Sequence, residues 1–282
     1  MQTSSIRTPS RILGLLALGA LLAFPILAQP TINAGSVLLS TPASAGSKVD
    51  FSSNPIPADF FCPGSAPFTG SVPLQGVPLA TNPPGIAGGT DTLVEHLTAA
   101  VFSGGTATFS AVLRAMHLAS VNDLSIVCGD GTTTLWRMDV CACGPQAATK
   151  VAVRIDPACN TCGTASGILS VNVCLMFTRV DTGQTAGPIQ QSITLDLSNV
   201  SWCYRPGGGE TVAAQPFTVD TDCDGQPDRD VLPSTNFHTG YKCANQGQNC
   251  WVIFASLTHC HPNYTNPGAH DHCINPVCGE RQ

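Results

Sequence analysis

The sequence predicts an all-β protein built of two antiparallel β-sandwich domains braced by disulfides. Three observations lead there. Apolar and polar residues alternate with period two in segment after segment, as on half-buried strands. Gly/Pro/Asn/Asp clusters such as "TNPPGIAGG", "CGDGT" and "YRPGGGE" punctuate those segments with turn chemistry. Fourteen cysteines follow an export-type leader, and an oxidising compartment turns such thiols into bridges.

The leader comes first. Arg7 and Arg11 precede an apolar run over 12–27, Pro25 interrupts it near its end, and Ala28 is a small residue at a cleavage position. Residues 1–28 therefore read as a signal peptide, with an uncleaved anchor as the rival, and no second run of that kind follows. Cleavage predicts a secreted or cell-surface chain with no integral membrane span. Without those residues, ten basic groups face 18 acidic ones, a net charge of −8 with His neutral. Such a chain has no electrostatic grip on a polyanion, which excludes nucleic acid as a partner class.

The new N-terminus, "QPTINAGSVLLSTPASAG", carries no charge and is strand-like around Ser36 to Ser40. It suits self-assembly by strand addition to a neighbouring copy, with truncation of 29–48 expected to abolish assembly and leave a folded monomer. "TLVEHL" (92–97) and "AVLRAMHLA" (111–119) fit helix or strand equally. Strands follow at "TTTLWRMDV", which sets Thr134, Trp136, Met138 and Val140 opposite Leu135, Arg137 and Asp139, and at "TKVAVRID", with Val151, Val153 and Ile155 on one face. "ILSVNVCLMFT" aligns Leu169, Val171, Val173, Leu175 and Phe177, and "SITLDLS" aligns Ile193, Leu195 and Leu197. The continuous run "WVIFASL" reads as a more deeply buried strand.

Cysteine parity places a domain cut near 145–148, giving an N-terminal sandwich over 29–146 and a Cys-rich C-terminal one over 147–282. Cys62, Cys128, Cys141 and Cys143 fall on one side and ten cysteines on the other, so each half can close its own bridges. Thiolate ligation is the competing reading for "CAC" (Cys141, Cys143) and "CNTC" (Cys159, Cys162), although neither pair has histidine close by in sequence.

Two stretches carry metal chemistry. In "DTDCDGQPD", Asp220, Asp222 and Asp224 alternate ahead of a glycine, Gln226 offers a backbone carbonyl, and Asp228 adds a carboxylate or a bound water. Calcium takes six to eight hard oxygen ligands, and alternate aspartates on a tight turn converge on one point. These nine residues resemble the calcium loops of EF-hand-like, dockerin-type and thrombospondin type 3 repeats. They depart from the EF-hand in placing Val231 where its bidentate glutamate would stand. In "THCHPNYTNPGAHDHC", His259 and His261 share one face of a strand, and His270 and His272 another. A hairpin closed by Cys260 and Cys273 would gather four imidazoles for zinc or copper, with His238 as a fifth; exposed histidines on a stapled loop are the alternative.

No His-Glu-x-x-His helix, Gly-x-Ser-x-Gly elbow or phosphate-cradling loop occurs. In "VEHL", Glu95 and His96 would face opposite sides of a strand, and His96 and His117 read as partly buried β residues. The expected function is an exported structural protein (matrix, adhesin or filament subunit) stabilised by disulfides and calcium. The alternatives are a secreted His-ligated transition-metal protein or metalloenzyme, and a calcium-stabilised carbohydrate-binding module, for which only three Trp and three Tyr are at hand.

Overall fold

The computed structural model describes residues 31–43, 47–81, 89–157, 159–196, 200–203, 217–231, 241–243, 250–251 and 253–256. At 159–162, 194–196, 200–203 and beyond 231 it describes the backbone alone. The leader and the four histidines of the C-terminal stretch lie outside the described residues, as does His238.

No α-helix occurs among the described residues, and all named strand pairings are antiparallel. A ring of hydrogen-bonded neighbours runs β7 (Thr106–Ser120), β5 (Thr92–His96), β2 (Gly35–Ser40), β19 (Ile253–Ser256), β17 (Tyr241–Cys243), β13 (Thr185–Asp196), β12 (Ile168–Arg179) and β9 (Thr133–Ala142). It returns to β7 through His117↔Cys141, Leu118↔Val140 and Ala119↔Asp139. Eight strands enclose a space that side chains can fill. Three groups of strands extend the ring. β10 (Thr149–Asp156), β11 (Cys159–Ser166) and β14 (Val200–Cys203) continue from the N-terminal half of β7. β4 (Ser71–Gly76), β3 (Lys48–Asp50) and β18 (Cys250–Trp251) continue from its C-terminal end, and β8 (Leu124–Val127) borders β9. β1 (Thr31–Ile32) pairs with β6 (Ala100–Val101), and β15 (Phe217–Val219) with β16 (Arg229–Val231), as separate two-stranded ribbons.

The alternation read from the sequence is the burial observed. Leu169, Val171, Val173, Leu175 and Phe177 are buried while Ser170 and Asn172 face solvent, and Trp136 and Met138 are buried beside an exposed Leu135. Trp136 Nε1 donates to Thr134 Oγ1 at 2.9 Å, so the indole is satisfied inside the core. Phe61 packs edge-on against Phe177 (5.2 Å between centroids) and tilted on Trp136 (5.3 Å). Next to it, Cys62 bonds to Cys128, stapling this aromatic loop to the turn after β8.

"TLVEHL" and "AVLRAMHLA" resolve as β5 and part of β7, and "WVIFASL" divides between β18 and β19, which pair with different strands. One core cluster runs from Ile32 to Ile193 and so includes side chains from both sides of 145–148. The pairings β9–β12 and β7–β10 also cross that segment. So do two of the three described bridges, Cys141–Cys223 and Cys143–Cys174, whereas parity had each half closing its own. β2 is buried on both faces, with Val37 and Leu39 in the main core and Leu38 in a second cluster outside the ring. That corrects the expectation for truncation at 29–48: the cut removes wall from two cores, so a folded monomer is no longer the expected product.

Candidate metal centre

The second cluster explains where the aspartate loop sits. Leu38 of β2, Leu93 of β5 and Ala115 of β7 make an apolar strip, Leu79 from the segment after β4 joins it, and the hairpin β15–β16 covers it with Phe217, Val219 and Val231. Val231, standing where an EF-hand glutamate would be, is thus an apolar anchor. Three further ties hold the hairpin down, the third through a glutamate that a second arginine steadies. Asp220 N donates to Leu79 O at 2.9 Å, and Cys223 bonds to Cys141 of β9. Glu95 of β5 accepts from Arg229 at 3.2 Å and from Arg114 on β7.

The nine-residue loop between the two strands folds around Asp220. Its Oδ1 accepts from the amides of Asp222 (3.2 Å) and Cys223 (2.7 Å), and its Oδ2 from Gly225 N (2.8 Å). Asp222 Oδ1 accepts from Asp224 N at 3.3 Å and Asp224 Oδ1 from Gln226 N at 2.7 Å. Gly225 has φ +87°, a left-handed conformation that glycine adopts freely, and Cys223 is held at φ +62° by its bridge and amide. One oxygen from each of Asp220, Asp222 and Asp224 lies within 4.8 Å of the others. Asp228 closes the loop, accepting from Thr221 N (3.1 Å) and Thr221 Oγ1 (2.7 Å), and Asp230 accepts from Thr218 Oγ1. Desolvation first, and then the charges of Asp224, Asp220 and Asp228, push the Asp222 carboxyl above its ordinary range. A divalent cation at the convergence would reverse that push.

A second group escaped sequence reasoning. His117 on β7 is the cross-strand partner of Cys141 on β9. A ring nitrogen of His117 and the sulfurs of Cys141 and Cys223 lie within 4.8 Å of one another. His117 Nε2 meets Asp139 Oδ1 at 3.0 Å, and Arg137 stands 3.7 Å from the same oxygen. His117 is half-buried, as expected, but no spacing in the sequence brings residues 117, 141 and 223 together. Glu95 and His96 do face opposite ways: Glu95 meets the arginines, and His96 is buried against Phe109 at 4.0 Å between ring centroids.

Comparison with protein-family models, curated proteins and solved structures finds no match to this chain.

Proposed function

We propose that the chain is an exported structural protein, a surface, matrix or filament component that disulfides brace and calcium stiffens. One observation carries this reading. Three aspartate carboxylates converge on a hairpin that a disulfide, an ion pair and an apolar face weld to the main sheet. A cation held there would stiffen the hairpin and, through it, the sheet. The low charge and the cysteine count accord with an extracellular setting.

The test is unfolding of the full secreted chain with calcium, with magnesium and with chelator. At 100-fold excess over Kd, calcium stabilises by about 2.7 kcal/mol, a rise of roughly 5–10 °C for a chain of this size. Asp220→Asn and Asp224→Asn are expected to remove most of that rise. Equal melting with calcium and chelator would sink the calcium reading. Elemental analysis after dialysis separates it from the transition-metal alternative, in which zinc, copper or iron is bound stoichiometrically and lost when His259, His261, His270 and His272 are replaced together.

Self-assembly in this reading runs through β2. It is the first strand of the ring in sequence and is buried on both faces, so exchange between copies would transfer Val37, Leu38 and Leu39 together.

A further inference from the structure

We propose that Cys141 and Cys223, in their dithiol state, form with His117 a binding site for a thiophilic transition-metal ion, Zn²⁺ above all. Asp139 would orient the imidazole. The three ligand atoms lie within 4.8 Å of one another before any rearrangement. Register enforces two of the positions, because His117 and Cys141 are paired across β7 and β9 and project to the same side. The third arrives on the hairpin loop, with Cα atoms of Cys141 and Cys223 6.1 Å apart. Tetrahedral zinc holds thiolates at ~2.3 Å and imidazole nitrogen at ~2.0–2.1 Å. The sulfurs therefore separate by ~1.5–2 Å on going from bridge to metal, within reach of side-chain rotation.

The surroundings fit the ion. A carboxylate on the ring nitrogen opposite a ligating one fixes the tautomer and raises basicity, and Asp139 meets His117 Nε2 at 3.0 Å. Two thiolates, a neutral imidazole and one carboxylate around Zn²⁺ leave one negative charge, and the Arg137 guanidinium 3.7 Å from Asp139 offsets it. The disulfide makes no use of this imidazole; a metal would. Opening the bridge consumes two electrons and two protons and yields two thiols; zinc then displaces both thiol protons. A phosphine supplies the electrons in the test and leaves as its oxide, taking its oxygen from water. The metal would thereby hold the hairpin to β9 when the covalent bond does not. Cys223 belongs to the aspartate loop, but none of Asp220, Asp222 and Asp224 is a ligand, so Asp220→Asn and Asp224→Asn, which test the calcium reading, leave every zinc ligand in place.

The experiment reduces the full-length protein anaerobically with a phosphine, removes the reductant, and pulses it with N-ethylmaleimide with and without Zn²⁺. Modification is then read cysteine by cysteine in peptide maps. Zinc is expected to slow alkylation of Cys141 and Cys223 at least about tenfold while Cys62 and Cys128 react at an unchanged rate. Asp139→Asn should raise the zinc concentration for half-protection by about tenfold, and His117→Phe should abolish protection. Four results overturn the proposal: equal alkylation with and without zinc, protection spread over all cysteines, protection that survives His117→Phe, or capture of Cys141 by its cross-strand neighbour Cys174. If reduction unfolds the chain, zinc should restore its β-type circular dichroism in the wild type and fail to do so in His117→Phe. Restoration in both, or in neither, counts against the site.

Discussion

Asp91 and His96, at the two ends of β5, make opposite demands on pH. The Asp91 carboxyl is 1% exposed and accepts from Thr41 N (2.5 Å), Thr41 Oγ1 (3.2 Å) and Thr92 Oγ1 (2.8 Å). Burial outweighs those donors and pushes its pKa to about 7. Folding thus favours its protonated form, and that contribution, complete below pH ~4, is lost as pH rises toward 7. Burial drives His96 the other way, to about 3, so its contribution is complete above pH ~6.5 and lost as pH falls. Between pH ~4.5 and 6.5 the two slopes, each up to about 1.4 kcal/mol per unit, cancel. The wild-type urea midpoint is therefore expected to be nearly flat there. Asp91→Asn should lose stability on acidification, and His96→Phe on alkalinisation. Three parallel profiles would refute the cancellation. A tighter constraint lies beside Asp91: a Cβ on Gly76 would come 1.6 Å from Asp91 Oδ2. Gly76→Ala should destabilise by about 1–3 kcal/mol in denaturant melts, since the buried carboxyl has to leave its donors. None of this is legible in sequence, because Thr41, Gly76 and Asp91 meet only once three strands have paired. The aspartate loop was legible, because its donors and acceptors are sequence neighbours.

At the scale of elements, β7 shows why "AVLRAMHLA" resembles a helix. The β5–β7 register shifts between Leu93↔Ala115 and Val94↔Leu113, leaving Arg114 as the extra residue of a bulge. Leu113 and Met116, three apart, therefore both enter the main core, while Ala115 faces the second cluster. A bulge in a strand covered on both faces erases the period-two signal, and β2, with Val37, Leu38 and Leu39 buried in a row, loses it to double coverage alone. Strands covered on one face, such as β12, kept it. Deleting residues 29–48 removes four buried aliphatic side chains, Ile32, Val37, Leu38 and Leu39, and cutting a buried Leu or Ile back to Ala alone costs about 2–5 kcal/mol. The truncated chain is expected to lose its cooperative urea transition, and retention of a wild-type midpoint would show that β2 is dispensable to the ring.

For the molecule as a whole, closure of the ring makes its strands interdependent. Main-core residues come from β2, β5, β7, β9, β12 and β13, so no subset keeps its interior dry alone. Unfolding of the disulfide-intact chain should show coincident near- and far-UV circular dichroism transitions; two separated transitions would revive independent units on either side of 145–148. The sequence carried the strand content plainly, since alternation is local. Ring closure is not local: it joins β2 to β19 across most of the chain, and no turn signal records that. The same closure has a consequence in time. Synthesis runs from the N-terminus, so β2 is made among the first strands and meets β19 only after nearly everything between them exists. Until then its far edge stands open. Cys62–Cys128 and Cys143–Cys174 can form in the interim, whereas Cys141 must stay unbonded until Cys223 arrives, a wait of 82 residues. During that wait Cys174, its cross-strand neighbour, is the wrong partner closest at hand. Correct assembly of the nascent chain therefore depends on Cys143 claiming Cys174 first.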